Sequence, residues 1–299
     1  MDGILNINKS IGMTSQDVAT AVRRLLKQKR VGHTGTLDPL ASGVLPLCIG
    51  QATRVAEYLS ESGKAYEAVI VFGAVTDTYD TEGQIVRSGD ASGLTLAQIE
   101  EALPRFLGPQ MQMPPLYSAI KIQGQPAYKR VRAGQDITLE PRPITITQLT
   151  IMAWEPPRLT LAVECGKGTY IRSLAYDLGE SLGCGAYLGG LVRTRSGPFT
   201  LADSITLEEC AAAMSSNTLA AHIFPPDIAL RDYPAITLDG PTSARVLHGM
   251  AFDPAPGEIA DNTLPSPVLA RVYAPGDRFI AIAEWDAERG LWQPKKVFE

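Results

Sequence analysis

The 299-residue sequence predicts an α+β protein, in which strands and helices alternate along one large domain and a small β-rich module follows. Three observations predict this class. KAYEAVIVFGA (64–74) and RLTLAVEC (158–165) alternate with the period of two that is typical of strands. Apolar residues at helical spacing follow capping residues at two places. The tail beyond about residue 233 contains short strand patterns between turn residues.

The N-terminal part is expected to begin with a short strand, GILNIN (3–8). Thr14 or Ser15 then caps a helix to about Lys27, with Asp17 favourable in its first turn. Residues 31–50 contain four glycines and two prolines without steady periodicity. They predict a long shaped loop, a kind of segment that tends to be functional. QATRVAEYL (51–59) is expected to be a helix, and TDTYDTEGQI (76–85) a turn into another strand.

Further helices and strands follow. A capping box of Thr95 and Gln98 begins a helix, and its apolar stripe comprises Leu96, Ile99, Leu103 and Phe106. GKGTYIRSLAYDLGESLG (166–183) predicts a loop and a helix, with inward side chains at Ile171, Leu174, Leu178 and Leu182. LGGLVRTRSGPF (188–199) predicts a strand. DIALRDYPAI (227–236) looks like a linker, and the strands after it, VLARVY (268–273), RFIAIAEWD (278–286) and LWQPKKVF (291–298), suit a small β-barrel.

Residues 109–143 differ from their surroundings, because they combine Met-Pro-rich sequence, Gly-Gln turns and a basic stretch. They predict an insertion that projects from the core. The basic residues of this block outnumber Asp136 and Glu140 and leave a local charge of +3: Lys121, Lys129, Arg130, Arg132 and Arg142. A second basic patch comprises Arg23, Arg24, Lys27, Lys29 and Arg30. By itself, each patch is typical of an ordinary solvated surface.

The net charge of −5 is unevenly distributed. Residues 201–299 carry 14 acidic and 7 basic side chains, whereas residues 1–200 carry 18 acidic and 20 basic ones. Because screening limits exposed charges to about 10 Å, only local patches matter for contact with phosphates. No apolar run is long enough for a membrane span, and the N-terminus lacks the profile of a signal peptide. We therefore expect a cytoplasmic protein.

The four cysteines are widely spaced and form no CxxC pair, which favours reduced thiols over a disulfide framework or a zinc site. They are Cys48, Cys165, Cys184 and Cys210. The three histidines, His33, His222 and His248, are too far apart in the sequence to suggest a cluster. We predict no metal.

The sharpest motif is GHTGTLDPLASG (32–43), which does not fit the phosphate-binding pattern GxxxxGK[ST]. Its glycines allow a ligand to approach the main chain. Because a residue before proline is held extended, Asp38 is expected to project from a defined backbone. An isolated Asp-Pro pair more often stabilises a turn, so the motif alone leaves a structural role open.

This loop resembles the signature G-H-x-G-T-L-D-P-x-A-x-G-x-L of the TruB family, the bacterial tRNA pseudouridine-55 synthases. The resemblance spans nearly the whole chain in the family's order, through KSIGMTS (9–15), KAYEA (64–68), FGAVTDTYDTEG (72–83), PPLYSAIKIQGQPAY (114–128) and GKGTYIRSLAYDLGE (166–180). One departure is Ser10, where the family usually has proline at a position that shapes a turn.

The resemblance implies a pseudouridine synthase fold over residues 1–232, with a mixed, mainly antiparallel sheet, flanking helices and a thumb insertion at about 109–143. It implies a PUA-like RNA-binding module over residues 233–299. The expected activity is isomerisation of the uridine at position 55 in the T-arm loop of tRNA. The expected enzyme is a monomer that uses no guide RNA. No cofactor is expected, because the reaction only exchanges bonds.

The resemblance also assigns three catalytic residues. Asp38 is the nucleophile, and Arg172 is the cation that keeps this carboxylate ionised in a dry pocket. Tyr66 stacks on the extruded uracil, an interaction worth about 1–3 kcal/mol. From the residues alone, a surface arginine and a core tyrosine remain open at the last two positions. The route of attack, at C1′, at C6 or through a glycal, also remains open.

Further expected contacts with RNA follow from the same resemblance. His33 lies beside the flipped nucleotide, Tyr170 positions Asp38 or Tyr66, and Leu191 lines the uracil pocket. Asp80 lies close to the RNA or caps a turn, and Lys9 touches phosphate or faces solvent. The basic side chains of the thumb supply affinity and salt sensitivity more than sequence choice.

Three alternatives remain open. The first is a non-catalytic protein that binds or folds tRNA on the same scaffold, and the second is a relative that works only inside a guide-RNA particle. The third is a hydrolase, which usually needs a second carboxylate at a set separation; the sequence indicates no such partner for Asp38. The acidic C-terminal module is expected to contact only the acceptor end of tRNA, or little of it.

Overall fold

A computed structural model describes residues 1–118, 120–122, 124–135, 137–253 and 268–298. The strands of the first 232 residues are β1 Gly3–Lys9, β2 Val31–His33, β3 Ala41–Ile49, β4 Lys64–Phe72, β5 Ala74–Thr76, β6 Ile85–Ser88, β7 Gly108–Gln112, β8 Lys121–Ile122, β9 Gln125–Pro126, β10 Arg142–Glu155, β11 Arg158–Cys165, β12 Ala186–Ser196, β13 Phe199–Thr200 and β14 Ile223–Phe224. The strands beyond them are β15 Ala235–Thr237, β16 Leu269–Ala274, β17 Arg278–Asp286 and β18 Leu291–Val297.

The α-helices are α1 Ser15–Leu25, α2 Ala56–Glu61, α3 Leu96–Ala102, α4 Ala127–Arg132, α5 Ile171–Ser181, α6 Leu207–Ser215 and α7 Gly240–Leu247. Shorter 3₁₀ helices cover Gly50–Val55, Leu103–Phe106, Leu219–His222 and Pro226–Leu230. None of the helices in the described ranges combines the length and the apolar character that a membrane crossing requires.

Ten strands of the described chain form one sheet. Its neighbours run in the order β14, β1, β3, β12, β4, β11, β10 and β7, with β2 beside β3 and β13 beside β12. Every pair in this sheet is antiparallel except β3 with β12. The predicted α+β class, with a mixed and mainly antiparallel sheet, is therefore confirmed.

Strand β4 shows how the sequence pattern produces this sheet. Its residues alternate strictly between buried and half-buried, so that Tyr66, Ala68, Ile70 and Phe72 share one face, as predicted. Helix α1 begins as expected, because Thr14 and Asp17 form a reciprocal capping box. The predicted capping box of helix α3 is also present, but Leu96 of its predicted apolar stripe is exposed.

Two predictions about loops were wrong. Residues 31–50 are not one long loop, because β2 and β3 pair with each other and leave only residues 34–40 between them. The block 109–143 is not wholly an insertion, because β7 pairs with the first residues of β10 at the edge of the main sheet. The part of this block whose described residues lie outside the main sheet is therefore about 113–141. Both errors arose because short strands broken by glycine or proline lack a clear period.

The segment 227–236 is not a linker. It contains a 3₁₀ helix, and Leu230 is only 1% exposed within a hydrophobic cluster. This cluster joins Val44 and Cys48 on one face of β3 to Leu269 and Ile282 of the C-terminal module. The opposite face of β3 contributes to the main core. The module is thus packed against the sheet from which the loop 34–40 extends.

The C-terminal module consists of β15, β16, β17 and β18 in that order, with helix α7 against them. Within the described part of the chain these strands form an open sheet and not the predicted barrel. The strands predicted at 268–298 are present as β16, β17 and β18. We propose that the boundary between the two domains lies at residues 232 and 233, just before β15.

Replacement of Leu230 tests whether this segment belongs to a core. We expect Leu230→Ala to lower the free energy of unfolding by about 2–5 kcal/mol, because it leaves a cavity in the cluster between the two domains. Chemical denaturation followed by circular dichroism measures the change. The exposed Leu107 provides the matched control, since Leu107→Ala should change stability by less than about 0.5 kcal/mol. Equal effects of the two substitutions would contradict the packed arrangement.

Candidate active site

The loop between β2 and β3 holds Asp38 in place through its two neighbours. Leu37 is buried, and its backbone NH donates to the Ser15 hydroxyl oxygen at 2.7 Å. That hydroxyl in turn donates to the carbonyl oxygen of Leu37 at 3.0 Å. On the other side, the carbonyl of Pro39 accepts a hydrogen bond from the Gly12 backbone NH at 2.8 Å. Asp38 therefore projects from a backbone that is anchored to the start of helix α1.

One guanidinium joins two carboxylates at this site. Nη2 of Arg172 lies 2.9 Å from Oδ2 of Asp38, and Nη1 lies 3.3 Å from Oδ2 of Asp80. The Arg172 side chain is only 6% exposed and that of Asp80 only 2%, whereas the Asp38 side chain is 39% exposed. Asp38 is thus the carboxylate of this group that faces the cavity and that a ligand can reach.

The start of helix α5 positions Arg172. Tyr170 is the N-cap residue but provides no side-chain cap. The side chain of Gln112 replaces it, because its amide donates to the Tyr170 carbonyl at 3.0 Å and its oxygen accepts from the Tyr170 NH at 2.9 Å. Arg172 also donates to the backbone carbonyls of Thr78 and Tyr117. These bonds satisfy the buried guanidinium and fix its plane.

Tyr66 and Arg193 form a pair beneath Asp38. They lie directly opposite each other on β4 and β12, so both side chains are on the same face of the sheet. Burial raises the pKa of Tyr66, while the guanidinium of Arg193 acts in the opposite direction through its charge and a hydrogen bond. Both residues are buried, and both contribute to the wall of the cavity.

The cavity has a volume of about 440 Å³, and the predicted catalytic residues Asp38, Tyr66 and Arg172 all line it. The structure therefore brings together residues that are far apart in the sequence. Three of the predicted RNA contacts, His33, Tyr170 and Leu191, line the same cavity. The pKa of His33 is lowered by burial and by the charge of Arg193, which favours the neutral imidazole.

Lys9 does not face solvent, so that alternative was wrong, and its contact with phosphate stays a prediction. It is buried, and its ammonium donates to the carbonyls of Met13 at 2.7 Å, Ser10 at 3.0 Å and Pro39 at 3.5 Å. Burial lowers its pKa to about 8, and Asp38 opposes this shift. Lys9 thus ties the turn after β1 to the residue that follows Asp38.

Asp80 is buried, and its predicted position close to the RNA stays a prediction. The alternative prediction, a turn cap, is what the structure shows, because its Oδ1 accepts from the Glu82 NH at 3.0 Å and the Thr78 hydroxyl at 2.5 Å. The sequence indicated no second carboxylate near Asp38, yet Asp80 shares Arg172 with it. Because Asp80 is buried and already bonded, it is not placed to act as a general acid.

The basic residues of the 113–141 segment are only partly described. Lys129 is exposed, and Nε of Arg130 donates to the side-chain oxygen of Gln135 at 2.8 Å. The predicted contacts Lys121 and Arg132 have side chains outside the described part, and Asp136 lies outside it altogether. Arg142, at the start of β10, is exposed. The predicted contacts of these basic residues with RNA phosphates stay a prediction.

The sequence interpretation missed three polar residues in the cavity wall, Arg193, Lys64 and Ser118. All three are buried, and the ammonium of Lys64 donates to the carbonyls of Ser60 and Ser62. A basic residue inside a strand is usually assigned to the solvent face. The one available indication was strand alternation, since Lys64 precedes Tyr66 by two residues on the same face of β4.

Comparison with known proteins gives a consistent result. The TruB family pseudouridylate synthase (N terminal domain) model matches residues 23–171, and the tRNA pseudouridylate synthase B C-terminal domain model matches residues 172–231. The chain is 50% identical over 254 residues to tRNA pseudouridine synthase B of Symbiobacterium thermophilum, covering 84% of this chain and 83% of that protein. It is 43% identical over 298 residues to the protein of the same name from Dehalococcoides mccartyi strain 195, covering 100% and 97%.

Among solved structures, a chain in the crystal structure of a Cbf5-Nop10-Gar1 complex is similar to the whole fold. The TM-score is 0.77 at 26% sequence identity, and the match covers 99% of this chain and 85% of that one. A chain of the archaeal box H/ACA sRNP Nop10-Cbf5 complex matches with a TM-score of 0.75 at 24% identity over 99% and 86%. The second similarity concerns the fold alone.

The shared guanidinium predicts the effect of a neutral substitution at Asp80. We expect Asp80→Asn to lower the free energy of unfolding by about 3 kcal/mol, because it removes one counter-charge from buried Arg172. Thermal and urea denaturation measure this change. Asp77→Asn is the matched control in the same loop, since Asp77 is exposed and accepts only a backbone hydrogen bond from Gln84. A loss of similar size in both variants would show that the charge of Asp80 is not what stabilises the site.

Proposed function

The chain belongs to the TruB family of pseudouridylate synthases and isomerises uridine to pseudouridine in tRNA, and we propose that its target is the uridine at position 55 in the T-arm loop, with Asp38 as nucleophile. The observation that carries this proposal is the pair of Asp38 and Arg172 at a cavity that Tyr66 also lines. The cavity is large enough for a nucleoside extruded from RNA.

The reaction breaks the bond between N1 and C1′, turns the uracil while it stays bound, and joins C5 to C1′. A carboxylate can form a covalent intermediate and later leave it. In the proposed mechanism, Asp38 attacks the nucleotide from the anchored loop, and Arg172 supplies the counter-charge at 2.9 Å. A fixed ion pair of this kind holds the nucleophile in one orientation, which lowers the entropic part of the barrier.

Tyr66 and Leu191 are proposed to receive the uracil. An aromatic ring replaces part of the stacking energy that the base loses when it leaves the RNA, about 1–3 kcal/mol. Leu191 lies on β12 opposite Ala68 of β4, two residues beyond Tyr66. The two side chains thus offer an aromatic and an aliphatic surface from neighbouring strands. His33, at the rim of the same cavity, is proposed to contact the RNA beside the flipped nucleotide.

The segment 113–141 is proposed to act as a thumb over the T-arm. Exposed Lys129 and the basic residues near it suit the phosphate backbone, and their contacts add affinity that weakens with salt. The acidic module 233–299 is proposed to be PUA-like and to make little contact with RNA. Its packing against β3 suggests that it also supports the catalytic domain.

A stand-alone enzyme is proposed in preference to a subunit of a guide-RNA particle. The chain is 43–50% identical to proteins named tRNA pseudouridine synthase B but 26% identical to the chain from the Cbf5-Nop10-Gar1 complex. We propose that it works as a cytoplasmic monomer. Pseudouridine formation in a bare T-arm stem-loop, without added RNA or protein, tests this choice, and a requirement for either would contradict it.

The role of Asp38 predicts a separation of binding from turnover. We expect Asp38→Asn to abolish pseudouridine formation, because an amide is a poor nucleophile, while tRNA affinity stays within a few-fold. Release of tritium from [5-³H]uridine-labelled tRNA measures turnover, and filter binding measures affinity. A tRNA with cytidine at position 55 is the substrate control and should release no tritium from the T-loop. Loss of binding to the same degree as activity would indicate a structural Asp38.

The thumb proposal predicts a sequence-independent effect of Lys129. We expect Lys129→Ala to weaken binding of all tRNAs to a similar extent and to reduce the slope of log affinity against log salt by about 1. Arg278→Ala is the matched control, since Arg278 is an exposed basic residue of the C-terminal sheet. An unchanged salt slope for Lys129→Ala would remove this residue from the RNA interface.

A further inference from the structure

Arg193 is a buried cation without a carboxylate partner. Its side chain is 1% exposed, and none of the acidic residues in the described ranges forms an ion pair with it. Burial lowers the pKa of Arg193, and Tyr66 opposes that shift. A charged group is costly to remove from water, so the groups to which Arg193 directs its hydrogen bonds decide what it can do at this place.

One hydrogen bond of Arg193 reaches the loop that carries Asp38, and another reaches strand β3, which follows that loop. Nε donates to the carbonyl of Val44 at 2.6 Å, and Nη2 donates to the carbonyl of Gly35 at 3.2 Å. These two carbonyls lie before and after Asp38 in the chain. Arg193 lies directly opposite Tyr66 across β12 and β4, and its charge opposes the effect of burial, which raises the pKa of the Tyr66 hydroxyl.

The backbone is shaped to admit this arrangement. Gly43 lies opposite Arg193 where β3 runs parallel to β12. Its φ is +102°, and a Cβ atom there would lie 2.3 Å from the Arg193 carbonyl oxygen. Only glycine allows the strands to come this close. Lys64, which is on β4 and on the same face as Tyr66, donates to the carbonyls of Ser60 and Ser62 around helix α2 and is therefore not aimed at Tyr66.

We propose that Arg193 is a positioning residue of the reaction. Its buried guanidinium holds the Tyr66 hydroxyl against the bound uracil and places positive charge beside the phenol oxygen of Tyr66. The two hydrogen bonds to carbonyls fix the guanidinium and link it to the Asp38 loop. Tyr66, on which the uracil stacks, and the nucleophile Asp38 therefore keep one relative geometry. This inference rests on the proposed contact between Tyr66 and uracil. Arg193 is then a second functional cation in addition to Arg172, and the phenol of Tyr66 is the partner of Arg193.

Two substitutions separate charge from hydrogen bonding. Arg193→Lys keeps the positive charge, whereas Arg193→Gln keeps polar donors for the loop carbonyls and loses the charge. Single-turnover rates with excess enzyme are measured on T-arm RNA, together with RNA affinity and thermal stability. We expect Arg193→Gln to lower the rate by about 10²-fold or more, the size typical of a lost electrostatic contact at a reacting group. Arg193→Lys should stay within about tenfold of the wild type, and both should bind RNA within threefold.

The same substitution in a Tyr66→Phe background tests whether Arg193 acts through the hydroxyl. We expect Arg193→Gln to cost less than threefold there, because its partner is already absent. The control is Arg195→Gln, two residues further along β12, whose guanidinium pairs with Glu164 at 2.6 Å; it should leave the rate unchanged.

Equal losses by Arg193→Gln in both backgrounds, or equal rates for the Gln and Lys variants, would overturn the proposal. If Tyr66→Phe alone is fully active, the hydroxyl has no role in the reaction and the proposal for Arg193 is overturned, whereas stacking by the aromatic ring is unaffected. If the wild-type chain is inactive on the T-arm, the proposed target fails.

Discussion

The geometry of the site depends on the burial of one guanidinium between loops that are distant in the sequence. Arg172 contacts Asp38 in the loop 34–40, Asp80 and Thr78 in the loop between β5 and β6, and Tyr117 in the projecting segment. A buried arginine is tolerated only when its donors are satisfied. The fold must therefore bring these three segments to the first turn of α5, and doing so creates the cavity wall that presents Asp38.

The sequence predicted those parts of this arrangement that depend on neighbouring residues in the chain, such as strand alternation and helix capping. Strict alternation along β4 placed Tyr66 on the buried face. A capping residue located the start of α1, and a capping box located the start of α3. The Asp-Pro motif indicated a fixed backbone at Asp38. The predictions for residues 31–50 and 227–236 were wrong because the strands there are only three residues long or are interrupted by glycine and proline. The structure of these segments depends on pairing of β3 with β1 and β12 and of β15 with β16, which are distant in the sequence.

A different reason explains why the sequence did not predict the buried cations. Lys9, Lys64 and Arg193 all violate the expectation that charged side chains face solvent. Each is stabilised by backbone carbonyls that become available only when strands, turns and the loop 34–40 are assembled. No local pattern in the sequence announces such acceptors. These residues are found by asking where a buried charge directs its hydrogen bonds, which is a question that only the assembled structure answers.

The attachment of the projecting segment to α5 connects substrate binding to the catalytic pair. The Ser173 hydroxyl donates to the Met113 carbonyl at 2.7 Å, and the amide of Gln112 holds the backbone of Tyr170. The helical turn that carries Arg172 is thus bonded to residues at the root of the proposed thumb. If the proposed thumb moves when RNA binds, these hydrogen bonds connect that movement to the helical turn whose guanidinium lies beside Asp38. Because catalytic rates are sensitive to small displacements of a nucleophile, RNA docking and orientation of the carboxylate need not be independent events in this enzyme.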